Sequence, residues 1–255
     1  MRILVTNDDG VDSPGLGALA QALHDAEHDV FVVAPTTDLS GTSAAIGPLH
    51  RVGPLAVTEH EWAGLAGVPV LAIDAPPAAA VYAACLGGFG DPPELVASGV
   101  NPGANTGHLV LHSGTVGAAL TAAGLGVPGL AVSVKWADDP HFDTAAALAA
   151  AAVEWVAGDP AAPRVLNLNA PDCPLEQVKG IRAARLAPYG ELWVATADYS
   201  GGEVHLEFKG HDREPAPDTD YALVRDGYAT VTPLTGLAEA DDVTGAADAI
   251  TAAMG

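Results

Sequence analysis

Positive charge is scarce in this sequence: ten Lys and Arg stand against 32 Asp and Glu over 255 residues, a formal net charge of −22. So acidic a chain is repelled by phosphate backbones and anionic lipid, which argues against nucleic acid or membranes as standing partners and favours solubility. Cysteine is nearly absent. Cys85 and Cys173 match no metal-ligand spacing and cannot build a framework of several disulfides, so both read as reduced packing residues. Nothing at the start resembles a signal peptide, because Arg2 is followed by only three apolar residues before Thr6 and an Asn-Asp-Asp run. The expected location is the cytoplasm. One stretch is apolar enough to suggest a membrane span, Val116 to Val134, but Gly124, Gly126, Pro128 and Gly129 break it into a helix, a turn and a strand. No repeat of fixed period is present.

Three common catalytic signatures are missing as well. The first turn, "NDDGVDSPGLG", is not the G-x-G-x-x-G of dinucleotide binding, no Walker A lysine follows a glycine loop, and His112-Ser113 lacks the G-x-S-x-G elbow of a hydrolase. What is present is alternation. Apolar runs at Ile3–Val5, Val30–Val33, Val70–Ile73, Leu95–Ala97, Leu130–Val134 and Val165–Leu168 read as buried strands. Ala-rich stretches at Leu16–His24, Pro77–Leu86, Gly114–Ala123 and Thr144–Val156 read as helices between them. This predicts a doubly wound α/β core over residues 1–170. From 171 to 255 the texture changes to shorter β-like segments, "ELWVATADY", "VHLEFKG" and "YATVTPL", around a polar loop, with a terminal helix in "DDVTGAADAITAAM".

Four segments just past predicted strands carry oxygen or amide groups: Asn7-Asp8-Asp9, "APTTDLSGTSAA", "SGVNPGANTG" and "HSGTVGAA". In open α/β sheets ligands bind at that edge. Two adjacent carboxylates repel each other unless a cation lies between them, and carboxylates, hydroxyls and amide carbonyls are the oxygen ligands a hard divalent ion takes. "SGTVGAA" places Gly, Ser and Thr at a predicted helix start, where free N–H groups and the helix dipole favour an anion. Lys135 is the only Lys or Arg between Arg51 and Arg164, so a phosphate here depends on amides, hydroxyls and a metal.

Together these segments resemble the SurE family of metal-dependent 5′/3′-nucleotidases. "ILVTNDDGVDSPG" is similar to the family's opening motif, "VVAPTTDLSGTSAA" to its second, "SGVNPGANTG" to its third, "SGTVGAA" to its fourth, and "TDYALVRDGYATVTPL" to its C-terminal signature. The resemblance implies a three-layer, Rossmann-like, doubly wound and mostly parallel sheet with a β-rich C-terminal extension. It also implies one divalent ion per subunit, Mg²⁺ or Mn²⁺, held by Asp8, Asp9, Ser40 and Asn101, with Asn105, Ser113, Gly114 and Thr115 lining the phosphate side. Assembly as a homodimer or homotetramer through C-terminal elements is implied too. The chain departs from the family pattern at Ala79, His108, Leu109, His112 and Thr121, in places where acidic residues or a Tyr are usual.

The expected activity is hydrolysis of nucleoside 5′- or 3′-monophosphates, with Asp8 or Asp9 orienting the attacking water. His108 is the candidate general acid for the leaving alkoxide, since histidine donates protons near neutral pH. Two other readings stand beside it: a phosphatase of another metabolite or of short polyphosphate, and a non-catalytic binding or assembly protein on the same fold.

Overall fold

The computed structural model describes residues 1–47, 53–62, 64–158, 165–189, 192–210 and 214–236. The predicted strands form β1 (Arg2–Thr6), β2 (Asp29–Pro35), β4 (Val70–Ile73), β5 (Leu95–Pro102), β6 (Gly129–Val134) and β7 (Val165–Ala170), with β3 (Val57–His60) added before β4. The helices are α1 (Pro14–Asp25), α2 (Pro77–Cys85), α3 (Gly114–Gly124) and α4 (Phe142–Ala157). Further on come β8 (Ile181–Ala183), β9 (Leu192–Ser200), β10 (Glu203–Gly210), α5 (Asp220–Arg225) and β11 (Ala229–Leu234). The expected terminal helix lies outside the described residues.

Nine strands make one sheet in the order β3-β4-β2-β1-β5-β6-β7-β11-β8. The pairs from β4 through to β7 are parallel; β3 joins β4 and β11 joins β7 antiparallel. Alternation along each strand divides the core in two. Ile3 and Val5 of β1, with Val30 and Val32 of β2, pack on the α1 and α4 side, whereas Leu4, Phe31 and Val33 pack on the α2 and α3 side. The architecture is the expected three-layer α/β fold. The chain winds outward from β1 to β2 and β4, then returns to β5 on the other flank of β1. The carboxyl ends of β1 and β5 therefore border the topological switch point, where such sheets open a crevice.

Beyond residue 170 the strands divide between the main sheet and a small second one. β8 and β11 extend the main one, and only the β9–β10 hairpin stands apart as a two-stranded ribbon. No helix among the described residues is long and apolar enough to cross a membrane.

Candidate active site

The turn after β1 is closed by its own residues: Asn7 Nδ2 donates to the Gly10 carbonyl at 3.0 Å, and Val11 N–H to the Pro35 carbonyl at 2.8 Å. Leu39 N–H donates to the Asp8 carbonyl at 2.7 Å, which hangs the loop after β2 on the loop after β1. The first two motifs are thus one assembly. The third loop leaves β5 through a register shift against β6 between Ser98 and Asn101, an irregularity that re-aims the residues following it.

Asp8 is 3% exposed and held by the start of α3. Its Oδ2 accepts from the Gly114 N–H at 3.0 Å and its Oδ1 from Thr115 Oγ1 at 2.6 Å. A side chain at position 114 would put its Cβ 2.6 Å from that same Oδ2, so only glycine lets the helix begin this close. Gly114 and Thr115, expected on the phosphate side, here give these donors to the Asp8 carboxylate. Ser113 caps α3, its Oγ accepting from Val116 N–H at 3.1 Å, which leaves the hydroxyl proton to donate elsewhere.

The electrostatics are those of a site short of positive charge. Burial raises the Asp8 carboxyl above its ordinary range against the bonds from Thr115 and Gly114, and the Asp38 charge adds to the rise. Asp9 is pushed up to about 7 by burial first, then by the charges of Asp8 and Asp38. Its Oδ2 is shut off from solvent and finds no hydrogen-bond partner among the described residues. Such an orphaned oxygen costs free energy that a cation would recover.

The other expected ligands have suitable free ends. Ser40 donates through both N–H and Oγ to Asp38 Oδ1, at 2.8 and 2.6 Å, so the lone pairs of its hydroxyl stay available. Asn101 donates through Nδ2 to the Gly103 carbonyl at 2.6 Å, which turns Oδ1 into the uncommitted end of the amide. Neither hydrogen-bonds directly to Asp8 or Asp9 among the described residues; they share the sheet edge with them. No group of three His, Cys, Asp or Glu among the described residues could hold a metal alone. The donor set is two carboxylates, a hydroxyl and an amide carbonyl, all hard oxygens, and these fit Mg²⁺ or Mn²⁺.

Asn105 is clamped over the ends of β6 and β7. Its Nδ2 donates to Ser133 Oγ at 2.9 Å, while its backbone carbonyl accepts from Asn167 Nδ2 at 2.8 Å and Asn169 Nδ2 at 3.1 Å. His108 and His112 are exposed, His108 within a short 3-10 turn spanning Gly107–Leu111. Sequence reasoning missed Asp220. Its side chain is fully buried and accepts from Gly107 N–H at 2.9 Å, Ala187 N–H at 2.9 Å and Tyr221 N–H at 2.8 Å. Burial raises this carboxyl above its ordinary range, opposed by those three bonds. Only its place in "TDYALVRDGY" hinted at a role.

The family model "Survival protein SurE" matches residues 3–190. The 5′-nucleotidase SurE of Stenotrophomonas maltophilia (strain K279a) is 39% identical over 240 residues, covering 92% of this chain and 89% of that protein. The 5′-nucleotidase SurE of Aeromonas hydrophila is 39% identical over 239 residues, covering 92% of each. The crystal structure of SurE protein from Aquifex aeolicus superposes with a TM-score of 0.80 at 27% identity, covering 99% of this chain and all of that one. With its four loops gathered at one sheet edge and these relatives matched over nearly its whole length, the chain belongs to the SurE family.

Proposed function

We propose that this chain is a metal-dependent phosphomonoesterase that hydrolyses nucleoside 5′- and 3′-monophosphates to nucleoside and phosphate. The observation that carries the reading is the adjacent pair Asp8–Asp9 at the switch point, one carboxylate anchored by α3 and the other left with a buried, unpartnered oxygen. Asp8, Asp9, Ser40 and Asn101 would hold Mg²⁺ or Mn²⁺, which when bound supplies a Lewis acid that draws charge from the phosphoryl group. Both Asp8 oxygens already accept from α3, so of the pair Asp9 is the carboxylate left to orient the attacking water and take its proton. Ser113 Oγ donates to a phosphoryl oxygen, and the positive end of the α3 dipole favours the charge that develops there. His108 protonates the departing alkoxide.

Assembly as a homodimer or homotetramer completes the reading. The β9–β10 ribbon pairs with no other strand of its own chain among the described residues, and an isolated hairpin is at best marginally stable. Incubating the protein with nucleoside 5′- and 3′-monophosphates, sugar phosphates, short polyphosphate and p-nitrophenyl phosphate tests the function, each with Mg²⁺, with Mn²⁺ and with excess chelator. Metal-dependent turnover that favours nucleotides is expected. A preference for another ester moves the substrate assignment to that ester, and full turnover in chelator removes the metal from the reaction.

A further inference from the structure

The carboxyl edge of the sheet continues past the acidic centre to β6 and β7, and there its character reverses. Lys135 and Trp136 follow β6, Asp172 follows β7, and with Arg225 at the end of α5 they line a cavity of about 190 Å³. In a chain with ten cationic residues, two of them line this one cavity. Arg225 is engaged by Glu214 at 2.9 Å and by Asp226 at 3.7 Å. Lys135 has no ion pair within 4 Å among the described residues. Trp136 leaves 63% of its surface exposed at the cavity mouth, a large aromatic face with no core to join. Asp172 is fixed from one side: its Oδ1 accepts from His141 N–H at 2.9 Å and from His141 Nδ1 at 2.7 Å, leaving Oδ2 uncommitted among the described residues. Burial would raise this carboxyl, but the His141 bonds and the Lys135 charge hold it below its ordinary range, so it stays an acceptor.

The spacing relates this cavity to the acidic centre. Sheet order runs β1-β5-β6-β7, and neighbouring strands lie about 4.8 Å apart. The end of β6 is two strands, roughly 10 Å, from the end of β1. A nucleoside laid along the edge from a phosphate at Asp8 and Asp9 brings its base to that distance. Lys135 also lines a small cleft with Ala104 and Thr106, neighbours of Asn105, so the cavity lies beside the loop that borders the phosphate side.

We infer that this cavity is the base subsite, resting on the nucleotidase reading above, and that it selects a 6-oxopurine such as guanine. The purine stacks on the Trp136 indole, Lys135 donates to the acceptors O6 and N7, and Asp172 Oδ2 accepts from the ring N1–H. Adenine carries an amino group where the lysine needs an acceptor and lacks the N1–H.

Steady-state hydrolysis of GMP, AMP and ribose 5-phosphate by the wild type, Trp136→Ala and Lys135→Met tests this. The wild type should show a lower KM for GMP than for AMP. Trp136→Ala should raise KM for both nucleotides about tenfold with kcat unchanged, the loss expected of one stacked base. Its kcat/KM on ribose 5-phosphate, which has no base, should not move. Lys135→Met should erase the difference between GMP and AMP. Guanosine should quench tryptophan fluorescence in the wild type and not in Trp136→Ala, a readout independent of turnover. Unchanged nucleotide KM in Trp136→Ala, a parallel fall on ribose 5-phosphate, or a wild type that favours AMP overturns the subsite. A wild type that hydrolyses ribose 5-phosphate as well as either nucleotide instead defeats the nucleotidase reading itself, before any variant is compared.

Discussion

Thr115 carries a hydroxyl that lies 2.6 Å from Asp8 Oδ1, inside a site where burial works against charge. Thr115→Val keeps the shape and the helix start but deprives the carboxylate of one of its two side-on donors. We expect a folded protein about 1 kcal/mol less stable, since one net hydrogen bond is lost. The larger effect should fall on the metal: a ligand that has lost its orienting partner weakens apparent affinity by about 10–100-fold. Titrating Mg²⁺ or Mn²⁺ against hydrolysis rate reads this directly, and an unmoved midpoint would show that Asp8 does not depend on Thr115 for its role. His108 is argued differently, because it is exposed and no bond ties it to the acidic centre among the described residues. If it protonates the leaving oxygen, His108→Ala slows hydrolysis of a nucleoside monophosphate by roughly 10²-fold, the lower end for acid catalysis. p-Nitrophenyl phosphate, whose phenolate leaves without a proton, should be hydrolysed at nearly the wild-type rate. Equal losses on both substrates, or none, return His108 to the surface.

Elements of the core were legible because they obey one rule each. Ile3–Val5 and Val30–Val33 are runs of apolar residues bounded by polar turns, and burial on both faces is what such runs require. β3 escaped notice because "VTEH" is short and exposed, an edge strand defined by its pairing with β4 and not by its own apolarity. α5 escaped because six residues are too few for a helical period to show. Within the site, the ligand-type residues were legible from chemistry and order, whereas the attachment of Gly114 and Thr115 to Asp8 spans more than a hundred residues and exists only in the fold. Asp220 is the same kind of case. It ties the turn that carries His108, through Gly107, to Ala187 in the C-terminal region, and Gly107 itself (φ +58°) lies so close to the Tyr189 carbonyl that no side chain fits there. Asp220→Asn sets an amide NH₂ against one of the backbone donors. We expect a loss of about 2 kcal/mol, the scale of a hydrogen bond to a charged acceptor. Faster amide exchange at Gly107 and Ala187 and a lower kcat should accompany it. Unchanged exchange at Gly107 would show that the two segments are held together by other contacts.

For the whole molecule, a net charge of −22 keeps copies apart in solution, so any association needs a concentrated apolar surface to overcome the repulsion. The β9–β10 ribbon provides one. Val204 pairs across from Tyr199, and Leu206 lies two residues on from Val204, so the three side chains share a face, exposed by 63%, 74% and 53% for Val204, Tyr199 and Leu206. Glu207 and Thr196 pair on the opposite face, where Thr196 Oγ1 donates to Glu207 Oε2 at 3.1 Å. An amphipathic ribbon standing clear of its own sheet is built to lie on another surface, and a second copy of the chain offers an identical one under two-fold symmetry. We expect light scattering at micromolar concentration to report a dimer or tetramer whose association strengthens as salt screens the acidic charge. Val204→Lys with Leu206→Lys should leave the α/β core folded, because both side chains are exposed on the ribbon, and should shift the protein to monomer. A wild type that scatters as a monomer, or a double variant that assembles as before, would mean that the ribbon is not the contact between copies.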